Sequence, residues 1–218
     1  LVCSVLAITL LGSITPFAAM AASFSDVAEN SAVYNSIEYL KSKGVVKGYA
    51  DGTFQPQNPI NRAEALKIIL TGTKTDLTST QKITFKDLKA TDWPYPFVQK
   101  AFELKIISGY ADNTFRPDRQ ISLSESLKII LNAFQVQNLT APTANPFPDL
   151  DKSAWDAPFA QYAKAKNLYQ VGDDGKFHGD KPMSRGDFAE IVYRLMYMQE
   201  NKLSDFPLST NWPVFTHS

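Results

Sequence analysis

The chain of 218 residues carries 22 basic and 22 acidic side chains, a formal net charge of zero, with 44% apolar and 12% aromatic residues. That balance excludes nucleic acid or an anionic membrane as a bulk electrostatic partner and leaves anion recognition to local sites, while the apolar share is ample for a packed core. Cys3 is the single cysteine, so the mature chain has neither a disulfide framework nor a thiolate metal cluster to draw on.

Residues 1–22, LVCSVLAITLLGSITPFAAMAA, hold no charge and finish in the small-x-small pattern Ala19-Met20-Ala21. They read as a secretory signal peptide. The apolar run before Pro16 is shorter than the roughly 20 residues a transmembrane helix needs, so no membrane span is expected in the mature chain. A basic n-region and an initiator Met are missing, and the expected start lies upstream. Cys3 lacks the small-residue context that precedes a lipidated cysteine.

Three segments beginning at Phe24, Phe85 and Phe147 align without a gap, 61 and 62 residues apart, and in each a second Phe (Phe54, Phe115, Phe177) follows after 30 residues. One such unit is too small to bury its own apolar face, so a repeat architecture is expected. The repeats are placed at 24–72, 85–134 and 147–198, with Thr-, Gln-, Asn- and Pro-rich linkers at 73–84 and 135–146 and a tail at 199–218.

Within each repeat, Val33, Ile37 and Leu40, then Val98, Phe102 and Leu104, then Phe159, Tyr162 and Ala163 have helical spacing and predict a first helix. In copy one it ends near Gly44. The loops GYADGTF, GYADNTF and VGDDGKF follow, with Gly48, Asp51 and Gly52, Gly109 and Asp112, and Asp174 and Gly175 as turn formers. A second helix opens at Asn61, Ser122 and Ser184, each followed three residues later by Glu64, Glu125 or Asp187 in a capping-box pattern. Its apolar positions are Ala65, Leu66, Ile69 and Leu70, then Leu127, Ile130 and Leu131, then Phe188, Val192 and Leu195. Each repeat therefore reads as helix-loop-helix, and the fold as mainly α.

Arg62 and Arg185 occupy the first position of that second helix, where the helix dipole disfavours a cation. Each either pairs with a carboxylate (Glu64, Asp187, Asp26 or Asp149) or, with the helix N-terminus, offers a forked donor set to a ligand carboxylate or phosphate. Leu123 replaces them in copy two. Trp93 and Trp155 stand eight residues after their Phe, where copy one has Ala32. Each is either a core staple or a flat platform for a sugar ring. The losses are complementary, which predicts a groove taking Arg from one repeat and Trp from the next, Arg62 with Trp93.

The F-x-D openings with Asp26, Asp87 and Asp149, the Trp eight residues on, GYADGTF followed by Pro56, and NRAE together resemble the S-layer homology family, over roughly Phe24 to Met198. The resemblance implies a three-pronged pseudo-trimer in which one helix of each repeat joins a central bundle. It also implies a secreted, wall-binding, non-enzymatic module held by a pyruvylated secondary cell-wall polymer, or another peptidoglycan-linked polysaccharide, in grooves between prongs. Carried over by position, the family's basic residue maps to Arg62 and Arg185 and its aromatic to Trp93 and Trp155. The third loop departs from the pattern, with Gly172 and Gly179 where the others have Tyr49 or Tyr110 and Pro56 or Pro117.

Other chemistries find little support. Oxygen ligands cluster in the three loops, but the alternating acids and bidentate Glu of a calcium loop are absent, which favours ordinary turns. His178 and His217 make neither a metal pair nor a base for a nucleophile. No catalytic group, metal or cofactor is expected. Asn138-Leu139-Thr140 matches a glycosylation sequon in a linker. The alternatives kept open are a lattice protein whose repeats contact other S-layer subunits, and the anchoring part of a longer exported hydrolase, the tail being too short for a catalytic domain.

Overall fold

The described residues form six helices and no strand: α1 (Tyr34–Ser42), α2 (Arg62–Gly72), α3 (Tyr95–Glu103), α4 (Leu123–Ala133), α5 (Ala157–Ala165) and α6 (Arg185–Asn201). The computed structural model describes residues 22–208 except Asn138. The signal segment up to residue 21, Cys3, the sequon's Asn138, His217 and the last part of the tail lie outside the described residues.

Each even-numbered helix starts where a polar side chain fixes the first turn. Asn61 and Ser122 accept from the N–H groups of Glu64 and Glu125, whose carboxylates return to the Asn61 and Ser122 N–H, closing two capping boxes. In α6, Ser184 Oγ accepts from Asp187 N at 3.0 Å. These helices are buried almost all round. Leu66, Ile69, Leu127, Ile130, Phe188 and Val192 are fully enclosed, each such side chain contributing about 1.5–3 kcal/mol of transfer free energy.

The odd-numbered helices are shorter and bury one stripe, consisting of Ile37 and Leu40, Val98 and Ala101, and Ala160 and Ala163. This corrects the expected inner face in copies two and three. Leu104 is exposed, and Phe102, Phe159 and Tyr162 are only half-buried. Small Ala101 and Ala160 face inward instead, and the large rings lie at the rim.

The helices of one repeat are not each other's principal partners. The α3 helix packs on α2, α5 on α4, and α1, first in the chain, on α6, the last; the even helices meet as α2–α4 and α2–α6. Each first helix therefore docks on the second helix of the preceding copy, and copy one docks on copy three.

Backbone hydrogen bonds repeat this order. Arg62 N and Ala63 N donate to Arg119 O and Pro117 O (both 3.0 Å), Leu123 N and Ser124 N to Lys181 O and Gly179 O (both 3.0 Å), and Arg185 N and Gly186 N to Asn58 O (2.9 Å) and Pro56 O (2.8 Å). Just before the helices, Ile60 N donates to Met183 O, Met183 N to Ile121 O and Ile121 N to Ile60 O, at 2.9, 2.9 and 3.2 Å.

The opening aspartates hold each loop shut. Asp26 accepts from Phe54 N and Gln55 N (both 2.7 Å), Asp87 from Phe115 N (2.8 Å) and Arg116 N (2.6 Å), and Asp149 from Phe177 N and His178 N (both 2.8 Å). Gln55, Arg116 and His178 all have positive φ, which turns two successive N–H groups toward one carboxylate. Glycine is required behind them, since a Cβ on Gly48 or Gly109 would lie 2.3 or 2.2 Å from the ring of Phe24 or Phe85. Copy three has Val171 at that position, and its Phe147 ring lies flat on Phe177, at 15°. Gly179 has its own reason: a Cβ there would stand 2.3 Å from Ser124 Oγ, and Ser124 replaces the Ala63 and Gly186 of the other copies.

Candidate ligand-binding grooves

Arg62 and Arg185 reach out of their own repeats onto the next loop. Arg62 Nε donates to Phe115 O at 3.0 Å and Nη2 to Ser108 O at 3.4 Å, with the guanidinium beside the rings of Tyr110 (5.1 Å) and Phe115 (4.8 Å). Arg185 repeats this one copy round, with Nε on Phe54 O at 3.1 Å and the guanidinium beside Tyr49 (4.7 Å) and Phe54 (4.9 Å). Both arginines are buried. Burial pushes the Arg62 guanidinium below its ordinary value, with nearby Tyr110 opposing and Arg119 adding to the shift.

The helix N-termini themselves are closed to a ligand. The N–H groups of Arg62 and Ala63 bond to backbone carbonyls and that of Glu64 to Asn61 Oδ1 at 2.8 Å. In α6 the same positions are filled by Asn58 O, Pro56 O and Ser184 Oγ. The expected helix-terminus contribution to anion binding is therefore removed, and the fork alone remains. The expected ion pairing is seen between Arg185 Nη1 and Glu64 Oε1 at 3.4 Å. Asp26 and Asp149 are committed to their loop clamps.

Trp93 and Trp155 are 54% and 56% exposed, which rules out a core staple. Each leans on a ring one helical turn on, Phe97 or Phe159, and carries a lysine over it, Lys67 Nζ at 5.5 Å from Trp93 and Lys128 Nζ at 5.3 Å from Trp155.

Three grooves result. The first, of about 320 Å³, is lined by Tyr49, Glu64, Lys67, Trp93 and Arg185. The second, of about 760 Å³, is lined by Tyr110, Glu125, Lys128, Trp155 and Arg62. Arg62 and Trp93 thus line different grooves, contrary to the expected pairing. The loop supplies the centre, the copy before it the Arg and the copy after it the Trp. The third groove, of about 500 Å³, contains Gly172, Asp187, Ala32 and Leu123. Three of the substitutions scattered along the chain, Ala32, Leu123 and Gly172, fall in this one place, and Glu190, the counterpart of Lys67 and Lys128, is buried against Arg194 (Nε to Oε1, 2.8 Å).

The loop acids act within the turns. Asp51 Oδ1 and Asp112 Oδ1 accept from the N–H and hydroxyl of Thr53 and Thr114, and Asp174 Oδ1 accepts from Lys176 N. Hydrogen bonds from Thr114 and then Arg116 hold the Asp112 carboxyl at about 2. Among the described residues no group of three or more His, Cys, Asp or Glu is placed to hold a metal ion, and no helix is long and apolar enough to cross a membrane.

Lysines 67 and 128 escaped the motif reading, and Tyr49 and Tyr110 entered it as loop residues without a place in a groove. The available signal was positional, a lysine in the same helical slot of copies one and two replaced by Glu190 in the copy that also lost its tyrosine.

The S-layer homology domain model matches residues 23–66, 84–125 and 146–189. The chain belongs to the S-layer homology family. Among its relatives it is 36% identical to the cell surface glycoprotein 1 of Acetivibrio thermocellus over 67% of this chain and 7% of that protein. It is 41% identical to the cellulosome-anchoring protein of the same organism over 68% and 34%, and 29% identical to the surface-layer 125 kDa protein of Lysinibacillus sphaericus over 73% and 14%. The chain thus spans a small fraction of the length of these relatives.

Proposed function

We propose that this chain anchors an exported protein non-covalently at the cell wall or S-layer surface by binding an anionic, pyruvylated wall polysaccharide in the first and second grooves. The repeats act as a three-pronged pseudo-trimer around a central bundle of α2, α4 and α6. The third groove does not take part.

The observation that carries this reading is the co-location, twice, of a buried Arg fork, a half-exposed Trp and a lysine in one groove. A sugar ring stacks on the indole, and its carboxylate takes the terminal guanidinium nitrogens that the Nε–carbonyl bond holds in place. The surface-layer and anchoring relatives support the location. The repeats themselves carry no catalysis in this reading.

Pull-down on purified wall sacculi, with and without chemical removal of the secondary polymer, tests it. Binding is expected to vanish with the polymer. Binding that ignores its removal would favour contacts between protein subunits instead.

A further inference from the structure

We propose that the two complete grooves are unequal, the second being the high-affinity site for a carboxylate-bearing sugar while the first is held back by its own Glu64. This rests on the anionic-saccharide reading above and adds which groove does the work.

The difference lies in one carboxylate. In the first groove, Glu64 Oε1 stands 3.4 Å from Arg185 Nη1 and also accepts the Tyr49 hydroxyl at 2.9 Å. A ligand carboxylate arriving at Arg185 meets a guanidinium already partnered, and a fixed negative charge beside it. In the second groove the equivalent Glu125 is drawn away by an ion pair with Arg119 Nη2. Among the described residues, no carboxylate comes within ion-pair distance of Arg62, whose hydrogen bonds go to neutral backbone carbonyls.

Arg119 is what makes the grooves differ. Copy one has Asn58 at this position, and its side chain donates to Gln55 Oε1 at 2.8 Å, away from Glu64. The remaining parts match, since each groove has its tyrosine, its tryptophan and a lysine over the indole at 5.5 or 5.3 Å. The second groove is also the roomier, about 760 against 320 Å³. A buried cation with no carboxylate in direct contact gains most from an incoming anion, because most of its desolvation has already occurred and no ion pair need be broken. Releasing an anion from an existing charge-assisted contact corresponds to about a tenfold to hundredfold difference in affinity.

The two indoles report the two grooves separately. The mature chain, labelled with nitrogen-15, is titrated with a synthetic hexose bearing one pyruvate ketal while the indole N–H resonances of Trp93 and Trp155 are followed, assigned with Trp93→Phe and Trp155→Phe. Trp155 is expected to reach half-saturation at about tenfold lower probe concentration or less. Glu64→Gln, which still closes the capping box, should bring the Trp93 midpoint down toward that of Trp155. Arg119→Asn should raise the Trp155 midpoint toward that of Trp93.

Equal midpoints, or Trp93 saturating first, would overturn the inequality while leaving the anionic-sugar reading in place. An unmoved Trp93 midpoint in Glu64→Gln would overturn Glu64 as its cause. If neither indole responds to the acid probe, or both respond equally to its neutral methyl ester, the reading itself fails and this inference with it.

Discussion

Leu123 and Ala32, from different repeats and nowhere near each other in the chain, line the same groove. Leu123 is where a guanidinium would enter and Ala32 where an indole would stand, so one groove lacks both. Gly172 removes the tyrosine there as well. Loss of ligand-facing residues is concentrated in one site, and the other two remain complete.

Leu123 is buried at 4% exposure, so its role is packing. Leu123→Ala should cost about 2–3 kcal/mol of stability, the lower part of the range for such truncations, and leave wall binding unchanged. Urea denaturation and sacculus pull-down measure the two effects. Lost binding in a variant that remains folded would return the third groove to the functional set.

A double-mutant cycle resolves the groove partners. Arg62→Gln combined with Trp155→Ala should show a coupling of about 0.5–3 kcal/mol in binding, whereas Arg62→Gln with Trp93→Ala should add within about 0.5 kcal/mol. Coupling in the second pair and additivity in the first would reverse the groove assignment. Because Arg62 also bonds two loop carbonyls, its variants should melt somewhat earlier, and binding must be measured well below the melting temperature.

The clamp on the third loop is pH-sensitive. Burial works to raise the Asp149 pKa, but the Phe177 and His178 N–H groups outweigh it and hold the carboxyl below the ordinary 3.8. Its stabilisation is therefore complete above that value and is lost as pH falls through the lower folded value. Asp149→Ala should cost about 1–2 kcal/mol at pH 7 and less as acid is added. A deficit that stays constant down to about pH 2 would contradict the clamp.

The buried pair on α6 has the opposite sign. Burial raises the Glu190 carboxyl above its ordinary 4.5 against the pull of Arg194. A raised folded pKa favours the folded state fully below 4.5 and loses that contribution as pH rises through the folded value. Arg194→Met strands the carboxylate and should cost about 3–5 kcal/mol near neutrality. The deficit should shrink on going from pH 8 to pH 5 as Glu190 takes up a proton. Equal deficits at both pH values, from urea melts, would refute the coupling.

Binding itself should weaken in acid. Arginine stays protonated throughout, so the loss should follow protonation of the sugar carboxylate near pH 3.5. Affinity for sacculi that is unchanged at about pH 2, in protein shown by circular dichroism to be folded, would remove the carboxylate from the contact.

The six helices were legible in the chain because they depend on local rules. Apolar spacing places α2, α4 and α6, and Asn61, Ser122 and Ser184 mark their starts within the next three residues. The Phe and Asp openings recur at fixed distance because each must meet its own loop 28 residues later. The candidate arginines and tryptophans could likewise be named from position, since a cation at a helix start goes against the helix dipole and both indoles stand eight residues after their Phe.

Their partnerships could not be read that way. Which Arg faces which Trp depends on each second helix docking on the loop of the next copy and each first helix on the copy before, so the groove draws on three repeats at once. The same docking fills the helix-start N–H groups with backbone carbonyls, which no local pattern announces. Which residues face inward was decided likewise by the docking of one copy on another, as buried Ala101 and Ala160 beside half-buried Phe102 and Phe159 show. Hydrogen bonding and spacing along one segment determined the elements; the offset between copies, fixed by burial of three incomplete faces against one another, determined the site.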